Sequence, residues 1–81
     1  MKREEILKKT IARLALQFNV PEESITEETD PKNDLQAKSV DISRLANYFQ
    51  DELEVAVPYM DIAETKNVGE LVDLLVDLSD Y

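Results

Sequence analysis

Apolar residues recur along this chain at helical spacing in four separate stretches. In the first, Leu7, Ile11, Leu14 and Phe18 stand four, three and four residues apart, with Ile6 and Ala15 beside them. That spacing lays one apolar stripe along a helix and leaves Lys8, Lys9 and Arg13 to a solvated face. Pro21 is the expected stop. A second stripe, Ile42, Leu45, Ala46, Phe49 and Leu53, predicts a helix from about Ser39 to Leu53. Asp41, Arg44, Asp51 and Glu52 fall outside it, and Tyr48 falls at its border with a wet hydroxyl. Pro58 prevents a helix from running through Val55 and Val57, and residues 59–64 suffice for one short helix. Asn67 and Glu70 read as a capping box that opens a last helix, whose stripe is Val68, Leu71, Val72, Leu75 and Leu78, widened by Leu74 and Val76.

Between the first two stripes lies a connection over residues 21–38, rich in Glu and Asp. About seventeen residues without regular structure is a long stretch for a compact domain. Ile25 and Leu35 are its expected anchors to the core, and Ser24 with Glu27 has the spacing of one capped turn. Taken together, the pattern predicts an all-α fold: a small antiparallel four-helix bundle with a long first loop and a short third helix. Residues 1–81 form a single domain on this reading.

Composition narrows the function. The 81 residues include one Gly and three Pro, little material for hairpin turns. With no Cys there is neither a disulfide framework nor a thiolate metal site. No apolar run approaches the roughly 18–20 residues of a membrane span, and the charged N-terminus lacks a signal-peptide core. The expected setting is cytoplasmic, without membrane insertion. The net charge of −9 divides unevenly, +3 over residues 1–18 and −12 over the remainder. An acidic body repels phosphate backbones, so nucleic acid is not an expected partner, while proteins with basic docking surfaces are. With no His to act as a base near neutral pH, a Ser/His/Asp apparatus is impossible. The 30–41 stretch lacks the alternating ligands, central Gly and terminal Glu of an EF-hand loop. Nothing here reads as an enzyme.

What remains is Ser39, a small hydroxyl at the start of the second helix, facing solvent. Its surroundings carry a resemblance. Asp34-Leu35, Ser39, Asp41, Leu45, Phe49, Leu53, Val55-Ala56-Val57-Pro58 and Asn67-Val68-Gly69-Glu70-Leu71-Val72 stand at the offsets of the acyl carrier protein family. That family's signature, Asp-Leu-Gly-x-Asp-Ser-Leu, opens its second helix. Gln36, Lys38 and Val40 replace the usual Gly, Asp and Leu.

The resemblance implies that Ser39 receives a 4′-phosphopantetheine arm from coenzyme A through a phosphopantetheinyl transferase. Acyl groups would ride on the arm as thioesters, delivered to acyl-transferring and acyl-modifying enzymes of fatty acid, lipid or polyketide biosynthesis. The expected state is a monomer. By the same resemblance Ala46, Phe49, Val57, Ile62, Leu71 and Leu75 would line an acyl pocket, and Thr65 would polarise its floor. The docking face would comprise Lys38, Val40, Asp41, Arg44, Asp51 and Glu52, less negative than is usual because Lys38 and Arg44 stand where acids are common. From a different class, the alternative is an unmodified acidic docking module in which Ser39 is only a helix cap.

Overall fold

Helix α1 spans Arg3–Phe18 in the computed structural model, which describes residues 2–79. It stops three residues before Pro21, because Asn19 turns into the left-handed region (φ 55°) and returns its N–H to the Ala15 carbonyl. Asn enters that region at less cost than most residues. Helix α3 runs over Ser39–Leu53, matching the limits read from its stripe, and ends where Glu54 takes φ 54°. Helix α4 is one short piece, Tyr59–Ala63, begun by Pro58, and α5 occupies Val68–Ser79. No helix among the described residues is long and apolar enough to cross a membrane.

The long connection is more ordered than its composition suggests. A 3₁₀ turn covers Glu22–Ser24, and the Ser24 hydroxyl donates back to the Pro21 carbonyl. The Ser24–Glu27 capped turn does not form. Thr26 and Thr29 make the next turn instead: the Thr26 N–H donates to Thr29 Oγ1 (2.9 Å) and the Thr29 N–H to the Thr26 carbonyl (3.1 Å). A further one-turn helix, α2, spans Pro31–Asp34, making five α-helices among the described residues rather than four. Its cause is local. Asp30 accepts the Lys32 and Asn33 N–H groups, and Pro31 sits at the first helical position, where a missing N–H costs nothing.

Ile25 and Leu35 do reach the core, joined by Thr29 and Pro31. More consequential are two backbone bonds from the loop to α5. The Val68 N–H donates to the Thr29 carbonyl (2.9 Å) and the Gly69 N–H to the Glu27 carbonyl (2.8 Å). Arg3, at the start of α1, bridges Glu27 (2.5 Å) and Asp73 of α5 (2.8 Å).

The α1 stripe is rotated from its expected centre. Ile6, Thr10 and Leu14 are its fully buried line, while Leu7, Ile11, Ala15 and Phe18 are half-buried. Burying Thr10 leaves no orphan, since its hydroxyl donates to the Ile6 carbonyl of its own helix (2.8 Å). The rotation follows from α1 being flanked by α5 on one side and α3 on the other. On the α3 side, contacts run in antiparallel register. Lys9 meets Glu52 (3.4 Å), the Arg13 guanidinium lies 4.8 Å from the Tyr48 ring centre, and Gln17 Nε2 donates to the Asp41 carbonyl (3.0 Å). Lys9 and Arg13, expected in solvent, are therefore half-buried against α3. The Tyr48 hydroxyl donates to Glu52 (3.1 Å), and burial, then that bond, raises its pKa.

Candidate functional site

Ser39 occupies the first helical position of α3, one residue inside the cap, and is exposed. The cap is Lys38, whose side chain has no acceptor to offer. Asp41 compensates from the other direction, accepting the Lys38 N–H on Oδ2 (2.9 Å). Among the described residues, neither the Ser39 hydroxyl nor the N–H groups of Ser39, Val40 and Asp41 have a hydrogen-bond partner. The helix thus begins with three open donors beside a free hydroxyl, the positive end of its dipole turned outward.

Two devices place this turn. Gln17 holds the Asp41 carbonyl from α1. Upstream, Ala37 donates to the Pro31 carbonyl (2.9 Å), folding the chain back over α2 through Gln36 at φ 55°. Gln36 stands where the family signature has Gly, the residue that takes this conformation without steric cost. Asp30, which caps α2, is pushed up by burial but held net below the usual carboxylate range by the Asn33 and Lys32 bonds. Lys32 reaches across to the Ala63 carbonyl at the end of α4, tying α2 to the short helix.

Of the residues expected at the docking face, Lys38, Val40, Arg44 and Asp51 are exposed and Asp41 is half-buried. Glu52 is exposed too, but it is paired with Lys9 and Tyr48. The residues expected to line a pocket, Ala46, Phe49, Val57, Ile62, Leu71 and Leu75, all lie in the core at 5% exposure or less. They are packed shut. Thr65 is no bare polar floor, because its hydroxyl donates to the Ile62 carbonyl (2.7 Å). The Val57 N–H donates to Gln50 (3.0 Å), fixing the chain between α3 and α4. Sequence reasoning passed over Tyr59 and Met60, which α4 leaves on the surface, Met60 at 62% exposure. For Met60 the signal was available, since it lies two residues from Ile62 and so on the opposite face of the helix. A shallow groove of about 660 Å³ runs between the C-terminal half of α1 and residues 21–23, with no lining from α3.

A small helical bundle that presents an exposed, unbonded hydroxyl on the first turn of a helix offers a point where another protein can attach a group. Residues 8–75 match the family model for the phosphopantetheine attachment site, a span that includes Ser39. The chain is 35% identical over 78 residues to an acyl carrier protein of Saccharopolyspora erythraea, covering 96% of this chain and 82% of the relative. It is 35% identical over 75 residues to an acyl carrier protein of Lactobacillus acidophilus, covering 93% and 94%. The solved structure of an acyl carrier protein from Enterococcus faecalis superposes with a TM-score of 0.83 at 28% identity, over 98% of this chain and 100% of that one. The chain belongs to the acyl carrier protein family. Members of this family are carriers rather than catalysts, and phosphopantetheine is their prosthetic group.

The residues around Ser39 fit that group. Its phosphodiester needs an accessible hydroxyl and a setting that favours negative charge, and the free Ser39 hydroxyl beside three open N–H donors provides both.

Proposed function

We propose that Ser39 is the attachment residue and that residues 1–81 act as one acyl-carrier-like domain. The observation that carries this reading is the exposed, unbonded Ser39 hydroxyl at the uncapped start of α3, inside the span matched by the attachment-site model. A bound arm supplies the terminal thiol on which an acyl group is carried as a thioester; the chain itself has no Cys. The protein's own part is to present and to shelter. The open N–H groups of Ser39, Val40 and Asp41 would favour the negative charge of a phosphodiester on Ser39, by roughly 0.3–1 kcal/mol. Gln17 and Asp41 hold that turn still.

Sheltering requires the core to part. Phe49 and Ala46 on α3, Val57 and Ile62 around α4, and Leu71 and Leu75 on α5 line the seam where an acyl chain would enter. Each methylene moved from water into such a seam gains about 0.8 kcal/mol. A chain of several methylenes can therefore offset the opening of a small core, whereas a short polar acyl group stays outside. Thr65 sets no polar barrier, its hydroxyl being satisfied by Ile62.

The protein works as a monomer in the cytoplasm, without membrane insertion or nucleic acid. Its partners are a phosphopantetheinyl transferase and the acyl-transferring and acyl-modifying enzymes of fatty acid or related lipid and polyketide biosynthesis. Incubation with coenzyme A and a broad-specificity transferase, followed by intact mass, tests the assignment. One phosphopantetheinyl group should be gained, and Ser39→Ala should gain none. If the wild type stays unmodified, the protein is a docking module rather than a carrier.

A further inference from the structure

The outward face of α3 carries its charge in an order that helix stability does not explain. Val40, Arg44, Asn47 and Asp51 fall at helical spacing along one exposed stripe, with Lys38 at its head and the exposed Glu54 just past its C-terminal end. The two other acids of the segment are engaged elsewhere. Asp41 accepts the Lys38 N–H, and Glu52, itself exposed at the C-terminal end, is paired with Lys9 and Tyr48. What partners meet is therefore a basic end, Lys38 and Arg44, and an acidic end, Asp51 and Glu54. None of these four side chains has an ion-pair partner among the described residues.

This order runs against the helix dipole. Cations are unfavourable at a helix N-terminus and anions at its C-terminus. The last turn of α3 contains no basic residue, and its first position is capped by a lysine that cannot cap. A surface shaped only for solubility or helix stability would show the reverse. The charges are also continuous with Ser39, whose hydroxyl any modifying enzyme must reach directly. Such an enzyme must bring its active site to the hydroxyl itself, so the first two turns of α3 lie inside its contact. Enzymes acting at the far end of a long arm are not held to that approach.

We propose that α3 is a bipolar docking face for the transferase that modifies Ser39. That transferase would carry acidic side chains against Lys38 and Arg44 and basic ones against Asp51 and Glu54. The inference rests on the carrier reading and adds to it the charge of the partner. Complementary charge acts mainly on encounter and on rejection of wrong partners. A transferase whose docking surface is basic throughout meets repulsion at the serine end.

The experiment compares two purified transferases of known structure, one with a basic carrier-docking surface and one with an acidic patch beside its active site. Phosphopantetheinylation by each is followed by intact mass at low and high salt. The wild-type carrier should be modified about tenfold more efficiently by the acidic-patch enzyme, an effect of steering size. The difference should lie in KM and shrink at high salt. The double variant Lys38→Glu/Arg44→Glu should reverse the preference, with circular dichroism establishing that it folds. Lys8→Glu, on the exposed side of α1, should leave the preference as it is. If the double variant folds and keeps the wild-type preference at low salt, the bipolar face is wrong while the carrier reading stands. If neither enzyme modifies the wild type, the carrier reading itself fails.

Discussion

The chain starts two of its longer helices in opposite ways. At α5 the protein closes the start with its own atoms. Thr29 and Glu27 carbonyls accept the Val68 and Gly69 N–H groups, and Asn67 Oδ1 accepts the Glu70 N–H (2.8 Å). Glu70 in turn accepts the Lys66 N–H (3.0 Å). At α3 the corresponding donors are left to solvent, and the capping residue is a lysine. The closed start holds the loop onto the bundle. The open one gives up stability at the residue we propose for attachment.

Placing the same residue at both starts should break the comparison most visibly. A Cβ at Gly69 would lie 3.2 Å from Glu27 Oε1 and 3.3 Å from the Glu27 carbonyl, so a valine must push the loop away. Gly69→Val should lower stability by about 1–3 kcal/mol in urea denaturation, the range for overpacking. Ser39→Val, on open surface, should stay within about 0.5 kcal/mol of wild type. It should nevertheless abolish modification.

Exchanging cap chemistry should give effects of opposite sign. Asn67→Ala removes the side-chain acceptor of α5 and should cost about 1 kcal/mol, whereas Lys38→Ser supplies one at α3 and should gain a similar amount. Melting temperatures read both. No gain in Lys38→Ser would mean that the start of α3 is already satisfied. The approach to α3 offers a third substitution. Gln36 holds φ 55°, so Gln36→Gly should stabilise by about 1 kcal/mol, the left-handed cost exceeding the entropy that Gly adds to the unfolded chain.

The smallest effect distinguishes the two regions by pH. The Arg3 bond holds the Glu27 carboxyl below its usual range, and Asp30 is also lowered. A carboxylate with a folded pKa below its unfolded one contributes stability that is present above the unfolded value. That contribution is lost as pH falls through the folded value. The melting temperature should therefore begin to decline below about pH 4.5 and fall further toward pH 3. Glu27→Gln should flatten the decline, while Ser39→Ala should leave its shape alone.

Much of this was legible from the order of residues. The limits of α3 follow from its own stripe, and Asn67 with Glu70 marks the start of α5, because capping and periodicity act over three or four neighbours. Ser39 stood out through the offsets around it and through the lack of any other nucleophilic apparatus. The loop was harder to read. Its attachment to α5 uses the Thr29 and Glu27 carbonyls, and a backbone acceptor leaves no trace in side-chain identity. The one-turn α2 was missed although Asp30-Pro31 is a cap followed by a favoured first residue, since four residues are too few to show a period.

Sequence alone determined the all-helical class, the stripe of each long helix and the lone candidate hydroxyl, each set by interactions within a few residues. Tertiary structure decided which edge of the α1 stripe lies deepest, turned Arg13 from solvent to the Tyr48 ring, and paired Glu52 with Lys9 of α1. It also chose which helix start is closed and which is open. Those outcomes depend on what lies across an interface, and residues as far apart as Arg3 and Asp73 meet only once the chain has folded.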